Sequence, residues 1–339
     1  MLPVLCFSGY VVRFINMIKE ISTPKLKNPI FIAAWPGMGE VAYRTVLFLK
    51  EVLGAKVFAK LEPYRFFKPA AVTVQKGVLS MPSQPAGFFY YYKGKDAPDM
   101  IIFLGEIQPP LEYAETLSAA IVNYIKRYKV NTIVTFAAKP EPIDHKNESR
   151  VWVAATHNEA IKSFDKAGVK ALPEGQISGL NGIILGVGKR RNLKGICFLG
   201  EIPFYTVQIE NPKATAKILE VLNTYLKMSL NLAPLFERAK FIEEEIDKLI
   251  NYIKGDAPQN IPSPLNEEDI DKIKKDLAAY TKLPQSAREK IESLFKESEK
   301  DISLANQLKT ELDHWNVYKE YEDKFLDLFR KKHRKEDTH

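Results

Sequence analysis

Cysteine is scarce in this chain. The two present, Cys6 and Cys197, belong to no CxxC or Cys/His spacing. A disulfide framework and a zinc site are therefore both unsupported, and a reducing compartment is indicated. We expect a cytoplasmic protein without metal. The sequence also lacks an HExxH motif, a nucleophile elbow and a second phosphate motif, so no reaction class follows from motifs alone.

A long apolar run is missing as well. Residues 1–16 are apolar, but Arg13 interrupts them and neither a basic leader nor a small-residue cleavage site accompanies them. They are also too short to span a bilayer. We therefore predict no membrane partner, and we expect residues 1–16 to be an apolar extension of a structured protein that begins near Met17.

Basic residues interleaved with aromatic residues are missing, although the net charge is +7. The chain has 49 Lys and Arg residues and 42 Asp and Glu residues. From Leu235 onward there are 20 basic and 24 acidic residues, a net charge of −4. The residues before Leu235 therefore carry a net charge of +11. In that basic part the lysines are scattered singly, which is typical of a solvated surface. The dense run at residues 330–335 ends the last predicted helix, where cations suit the helix dipole. We expect no nucleic-acid partner.

A β-turn-α-β pattern opens the structured part. Residues 30–35 (IFIAAW) form a continuous apolar run, which indicates a strand buried on both faces. Residues 40–53 carry apolar side chains on one side of a helix, and residues 56–61 predict a second strand. This unit requires parallel strands and a right-handed crossover.

The α/β rhythm continues to about residue 234 with one interruption. Short runs between residues 66 and 92, separated by Pro and Gly, predict antiparallel strands inserted into the pattern. Further strands are predicted at 100–104, 132–137, 151–155 and 196–199, and helices at 111–128, 158–167 and 212–228. We predict a core domain at residues 17–234 with a three-layer, mixed-sheet α/β fold.

Residues 235–339 show only helical patterns and predict an all-helical extension. Its last helix is expected to run unbroken over residues 301–330, about 45 Å at 1.5 Å per residue. Its apolar stripe (Leu308, Leu312, Trp315, Tyr318, Phe325) is too extensive to face water. Two partners remain open: the preceding helices of the same chain, or a neighbouring subunit.

The sharpest local motif is a glycine turn after the first predicted strand. Residues 37–42 (GMGEVA) match GxGxx(G/A), and Glu62 ends the second strand, where a ribose-binding acid would stand. Gly37, Gly39 and Glu40 are therefore candidate ligand-binding residues. The alternative is a tight turn without a ligand, in which one or both glycines serve the fold.

Histidine and carboxylate residues gather in loops after the later strands. His145 with Glu106 is a candidate acid–base or ligand-binding pair, since α/β folds place their sites at the carboxyl ends of strands. The alternative is a polar loop without chemistry.

Four stretches occur in a set order: residues 31–42 (FIAAWPGMGEVA), 177–185 (ISGLNGIIL), 195–201 (GICFLGE) and 210–214 (ENPKA). This order resembles the archaeal-type branch of the proteasome assembly chaperone 2 family, older members of which were labelled ATP-grasp or carboxylate–amine ligase enzymes. The resemblance covers residues 17–245. It implies a sheet-and-helix core similar to that of nucleoside phosphorylases and hydrolases, followed here by the all-helical extension.

The resemblance implies a non-enzymatic, oligomeric assembly factor or scaffold, without a cofactor and with a homo-oligomer or another protein as its partner. The alternative is an enzyme that binds a nucleotide or nucleoside-like molecule at the strand ends, with ligase-like or nicotinamide-dependent chemistry. Family members that engage proteasomes end in a hydrophobic-Tyr-any tripeptide, whereas this sequence ends Asp337-Thr338-His339. We therefore do not expect those residues to dock into proteasome α subunits.

Overall fold

The computed structural model describes residues 17–62, 66–67, 71–82, 85–95, 97–164, 168–254, 285–299, 301–314 and 317–336. Our expectations for residues 1–16, for residues 255–284 and for Trp315 lie outside this part. The chain divides into two compact units. The α/β unit comprises Met1–Lys139, Glu148–Glu201 and Gln208–Ile242, and the second unit comprises Pro140–Asn147, Ile202–Val207 and Glu243–His339.

The strands of the described residues are β1 (Ile18–Glu20), β2 (Ile30–Ala34), β3 (Lys56–Leu61), β4 (Thr73–Gln75), β5 (Val78–Ser80), β6 (Gly87–Tyr92), β7 (Met100–Gly105), β8 (Thr132–Glu141), β9 (Val151–Ala155), β10 (Lys170–Ala171) and β11 (Lys194–Pro203).

The α-helices are α1 (Val41–Val52), α2 (Leu111–Lys126), α3 (Asn158–Lys162), α4 (Leu180–Lys189), α5 (Pro212–Leu226), α6 (Ala233–Lys254), α7 (Gln285–Ser298), α8 (Ala305–His314) and α9 (Tyr318–Glu336). Short 3-10 turns precede α1 (Met38–Glu40) and α8 (Ile302–Leu304), and a third follows β11 (Phe204–Thr206). Of the helices in the described ranges, none combines the length and apolarity that crossing a membrane requires.

A nine-stranded mixed sheet organises the α/β unit, in the order β1-β3-β6-β7-β2-β8-β11-β9-β10. Strand β2 lies parallel to β7 on one side and to β8 on the other. Strand β6 lies antiparallel between β3 and β7. The predicted insertion of antiparallel strands is therefore confirmed. Strands β6 and β7 both lie between β3 and β2 in the sheet, although β2 and β3 follow each other along the chain with α1 between them.

Helices cover both faces of the sheet, because the central strands β2 and β7 are apolar at every position. Phe31 and Phe103 share a buried core with residues of α2 and α4 on one face. Ile32 and Ile102, which alternate with them, point to the opposite face and are fully buried. Helices α1 and α5 contact each other, and α1 contacts β2 and β7. The predicted α/β class with a mixed sheet and C-terminal helices is confirmed.

The last predicted helix is broken, so the expectation of one unbroken helix over residues 301–330 is wrong. Helix α8 ends at His314 and α9 begins at Tyr318. The amide of Val317 donates to the carbonyl of Leu312 over 3.0 Å, a bond to the fifth preceding residue of the kind that terminates helices. No glycine or proline marks this break in the sequence.

The apolar stripe of the C-terminal residues lies in a core that we call the helical cluster, formed by α7, α8 and α9. Leu308 and Leu312 are fully buried in it, Phe325 is 6% exposed, and Tyr318 is partly buried against it. Helix α7, earlier in the chain, contributes Ile291, Leu294 and Phe295. Of the two open alternatives for the stripe, the preceding helix of the same chain is the observed partner.

Candidate functional site

The glycine turn lies at the carboxyl end of β2, beside the ends of the parallel strands β7 and β8. Gly37 is extended, with φ of −165°, whereas Gly39 and Glu40 are both left-handed, with φ of 60° and 50°. A side chain is disfavoured at such a positive φ, so the expectation that a turn glycine serves the fold is confirmed for Gly39. It is not needed at Gly37, where a Cβ would lie 3.8 Å from the Asn181 amide nitrogen, an ordinary contact.

Two side chains from elsewhere in the chain close the turn. The amide of Trp35 donates to Oδ1 of Asn181 over 3.0 Å, and Nδ2 of Asn181 donates back to the carbonyl of Trp35 over 3.2 Å. Gln108 donates through Nε2 to the carbonyl of Pro36 over 2.9 Å. Its Oε1 accepts the amide of Leu180, the first residue of α4, over 3.0 Å. These bonds occupy the amide and carbonyl of Trp35, the carbonyl of Pro36 and the amide of Leu180, and they hold the start of the turn against α4.

A second glycine explains why the segment before α4 lies so close to this turn. A Cβ on Gly182 would stand 1.9 Å from the carbonyl oxygen of Ile177, a distance that no side chain tolerates. Only glycine lets residues 177–182 fold back in this way. The result places Asn181, which is 5% exposed, directly against the end of β2.

Charged side chains of alternating sign lie beside the turn. Glu40 accepts a hydrogen bond from Nε of Arg44 over 2.7 Å, and the same guanidinium lies 3.2 Å from Glu210. Nε of Arg238 also donates to Glu210, over 2.6 Å. A phosphate placed at the start of α1 would meet the Glu40 carboxylate, whose repulsion the paired Arg44 guanidinium partly offsets. The site differs in this respect from the P-loop, whose glycine turn carries a lysine instead of an acid.

Glu106 lies just beyond β7 and is tied to the neighbouring loop. Its Oε2 accepts the amide of Ala86 over 2.7 Å, and its own amide donates to the Ala86 carbonyl over 2.9 Å. Burial raises the pKa of the Tyr43 phenol, and the charges of Glu106 and Glu40 raise it further. Glu106 therefore shares an electrostatic environment with the turn, and its carboxylate is already an acceptor within the fold.

A small apolar cavity lies near Glu106. Its volume is about 10 Å³, near the lower limit for one water molecule. Trp35, Phe103 and Leu117 are among its walls. This cavity is far too small for a nucleotide or nucleoside.

Glu62, the predicted ribose-binding acid, is not beside the glycine turn. It follows β3, and β6 and β7 stand between β3 and β2 in the sheet, which places it roughly 14 Å away at about 4.8 Å per strand. Hydrogen bonds from Lys19 and Lys60 lower the pKa of its carboxyl. The arrangement of glycine turn and acid on adjacent strands that a dinucleotide fingerprint requires is therefore not formed.

His145 lies in the second unit and is 7% exposed. Its Nδ1 is 2.9 Å from the hydroxyl of Tyr205, and its Nε2 is 3.0 Å from Oδ1 of Asp247. Lys146 lies 2.9 Å from the other oxygen of Asp247. Hydrogen bonds from Lys146 and His145 lower the pKa of Asp247, and burial raises the pKa of Tyr205 to about 12. These contacts make His145 a cross-link between three segments of the second unit.

The candidate residues thus separate into two places. Gly37, Gly39 and Glu40 form one turn in the α/β unit, which also holds Glu106, whereas His145 belongs to the other unit. Ligand binding by these residues, and the pairing of His145 with Glu106, stay predictions.

Other reactive groups are few in the described residues. Cys197 is fully buried, and burial raises its pKa to about 12, so it remains a thiol at neutral pH. Among the residues that the structure describes, no three His, Cys, Asp or Glu side chains come together as metal ligands would.

The sequence does not predict that Asn181 and Gln108 hold the glycine turn, or that Tyr205 and Asp247 contact His145. Asn181 stands in the ISGLNG stretch, where glycines on both sides signal a close approach of the backbone. Gln108 and Asp247 have no local signal, because their partners are 72 and 102 residues away in the chain.

Together, the mixed sheet with its antiparallel insertion and the internally closed turn define a class of α/β protein distinct from dinucleotide-binding folds. The chain belongs to the PAC2 family, whose model matches residues 31–250. The predicted resemblance is therefore confirmed.

Solved structures of two Pyrococcus furiosus proteins are similar over nearly their full length. PbaB, described as an archaeal proteasome activator, has a TM-score of 0.60 and 28% identity, covering 69% of this chain and 98% of PbaB. PbaA, described as an archaeal homologue of proteasome-assembly chaperone, has a TM-score of 0.53 and 25% identity, covering 76% of this chain and 99% of PbaA. An uncharacterised protein of Methanocaldococcus jannaschii is 25% identical, over 77% of this chain and 98% of its own length.

Proposed function

We propose that this chain is a non-enzymatic assembly factor that acts on proteasome subunits as a homo-oligomer in the cytoplasm. The observation that carries this proposal is the likeness to PbaB and PbaA, which extends over 98% and 99% of those chains. Both are described by their relation to the proteasome, one as an activator and the other as a homologue of an assembly chaperone.

The geometry of the turn supports a role through protein contacts over one through a small molecule. Asn181 and Gln108 occupy polar backbone groups at the end of β2 and the start of α4. Glu40 places a negative charge where a phosphate would approach α1. An enzyme that binds nucleotide phosphates would place hydrogen-bond donors and positive charge at this position.

We further propose that the functional division of the chain is a core domain at residues 17–234 and a helical extension at residues 235–339, with residues 1–16 as a separate apolar extension. The core would carry most of the family's architecture, since the family match covers residues 31–250. The extension would be an attached helical module with a core of its own, as the burial of Leu308 and Leu312 within the helical cluster supports.

The test is an assembly experiment with purified archaeal proteasome α and β subunits. The full chain is added at increasing concentration, and native gels follow the formation of the complete particle over time. We expect a complex between the chain and α subunits and a changed rate of particle formation. An equal concentration of an unrelated protein of similar charge is the control. Unchanged assembly together with no complex would contradict the proposal.

A further inference from the structure

Two basic turns lie side by side where β8 and β11 begin. Residues 126–131 (KRYKVN) lead from the end of α2 into β8, and residues 189–194 (KRRNLK) lead from the end of α4 into β11. Strands β8 and β11 are neighbours in the sheet, and the amide of Lys194 donates to the carbonyl of Asn131 over 2.9 Å. The two turns therefore form one continuous surface of the α/β unit.

This surface is positively charged. Seven of its twelve residues are Lys or Arg, and none is Asp or Glu. Arg127 pairs with Glu20 over 2.8 Å, and Arg190 pairs with Glu115. Within the described part of the chain, the other five cations have no ion pair, and the four lysines among them are exposed. We call these five residues the basic patch: Lys126, Lys129, Lys189, Arg191 and Lys194.

The basic patch exceeds what the two helix ends require. The carboxyl end of a helix carries about half a negative charge, so the ends of α2 and α4 together offset about one cation. The two turns hold the remaining charges close together, since Nζ of Lys126 lies 3.4 Å from the carbonyl oxygen of Arg191. Like charges gathered on one surface repel one another and lower the stability of the free chain. Costs in stability of this kind are commonly retained where the residues serve binding.

The other residues of the two turns indicate the class of partner. Val130 and Leu193 are each 4% exposed, so the aliphatic side chains of the turns are not available to enter a lipid bilayer. Tyr128 packs edge-on against Phe58 and Tyr124 and does not offer its ring face to a nucleic-acid base. Phosphate sites also favour the amino ends of helices, whereas carboxyl ends lie here. Lys and Arg side chains without these features suit the carboxylates of an acidic protein surface.

We propose that the basic patch binds an acidic surface of a partner protein through the carboxylates of its Asp and Glu side chains. This inference rests on the proposed role through protein contacts, and it names the chemistry of the partner without requiring that the partner be a proteasome subunit. The turn after β9, whose Thr156 contacts Gly195, carries Glu159 and borders the patch. A patch of one sign steers a partner of opposite charge and sets the orientation in which it binds.

The test measures the binding of fluorescein-labelled poly-L-glutamate, a probe for an acidic protein surface, to the full chain by fluorescence anisotropy. Two variants each remove three positive charges from exposed lysines of the α/β unit that have no ion pair within the described residues. The patch variant carries Lys129→Gln, Lys189→Gln and Lys194→Gln, and the control variant carries Lys56→Gln, Lys76→Gln and Lys170→Gln. Because the two variants have the same net charge, a difference between them reports the position of the lysines.

We expect the patch variant to bind the probe about tenfold more weakly than the wild type, and the control variant to stay within about twofold of it. Binding by the wild type should weaken as the ionic strength is raised to about 0.15 M. Thermal unfolding should show a patch variant at least as stable as the wild type, because repulsion is removed. Equal losses of binding in the two variants, no binding by the wild type, or a destabilised patch variant would overturn the inference.

Parallel titrations with a DNA duplex and with phosphatidylserine vesicles test the other two classes of partner. Tighter binding to either of them than to polyglutamate, lost in the patch variant, would overturn the choice of a protein partner. The assembly experiment with proteasome subunits separates this inference from the proposed function. A complex with α subunits formed by a chain that does not bind polyglutamate would leave the proposed function intact and contradict this inference alone.

Discussion

The apolar core of the α/β unit is formed by residues far apart in the sequence, whereas the core of the helical cluster is formed by residues close together in the sequence. In the α/β unit, Phe31, Phe58 and Phe103 come from three strands and meet in one core with α2 and α4. In the helical cluster, the core from Ile291 to Leu328 comes from successive helices. The first core is large and built from contacts between distant segments, whereas the second is small and local. We therefore expect the helical cluster to unfold at lower free energy than the sheet.

The largest expected effect comes from a charge placed inside the helical cluster. Leu312 is fully buried there, so Leu312→Asp should cost about 5 kcal/mol and unfold the cluster while the sheet remains folded. Hydrogen exchange should show lost protection in α7, α8 and α9 and retained protection in β7. Asn306→Asp, which adds the same charge at an exposed position of α8, should change stability by less than about 0.5 kcal/mol.

A reduced native mass of Leu312→Asp with protection retained in α7, α8 and α9 would contradict this account. That outcome would place Leu312 in a contact between subunits, the alternative that the sequence left open. Lost protection in β7 would show that the two regions unfold as one.

The converse experiment weakens the sheet. Phe103 is fully buried, with its ring centroid 4.6 Å from that of Phe89 and 5.0 Å from that of Trp35. Phe103→Ala should lower the free energy of unfolding of the α/β unit by about 4 kcal/mol, because it leaves a cavity. Chemical denaturation followed by hydrogen exchange checks both the magnitude and the region. Phe88→Ala, at a partly exposed position of β6, should cost clearly less. Equal costs at the two positions would contradict the assignment of the core.

A smaller effect is expected at the glycine turn. Gly39→Ala should destabilise the protein by about 1 kcal/mol, because alanine is disfavoured at φ of 60°. Gly37→Ala is the matched control. It should be nearly neutral, since Gly37 is extended and the added Cβ finds its nearest neighbour at 3.8 Å. Thermal unfolding of both variants measures their stability. A larger loss of stability from Gly37→Ala than from Gly39→Ala would contradict the described conformation of the turn.

The smallest effect concerns pH and the second unit. The pKa of Asp247 is lowered in the folded protein by Lys146 and His145. Its contribution to stability is therefore present above the ordinary carboxyl pKa, about 4, and is lost as the pH falls through the lower folded value. Unfolding measured from pH 5 to pH 2 should show a shallower acid loss for Asp247→Asn than for the wild type. Identical slopes would show that Asp247 is not ion-paired in solution.

Much of the α/β fold follows from the sequence, because strands buried on both faces appear as continuous apolar runs. The predicted strands at residues 56–61 and 151–155 agree with β3 and β9 at both ends. Strand β1 was missed because it is short and mostly exposed. Strand order could not be predicted, since the bonds that place β2 between β7 and β8 join distant segments, such as Phe31 and Ile133.

The candidate site shows the same limit. Gly39 was identified because a left-handed turn leaves a signature in the sequence, whereas Gln108 bonds to Pro36 72 residues away and leaves none. The break between α8 and α9 is local but carries no helix-breaking residue. A hydrogen bond from Val317 to Leu312 ends the helix without glycine or proline.

We propose that the protein acts through protein contacts and that the turn at residues 35–40, held by Asn181 and Gln108 of the same chain, binds no small molecule. The most direct test is a thermal-shift screen of the full chain with nucleotides, nucleosides and nicotinamide cofactors. We predict no specific stabilisation by any of them. A ligand at one hundred times its Kd would add about 2.7 kcal/mol to the free energy of unfolding. A saturable shift of that size, abolished by Gly39→Ala in a variant that remains folded, would contradict the claim and restore the nucleotide-binding alternative.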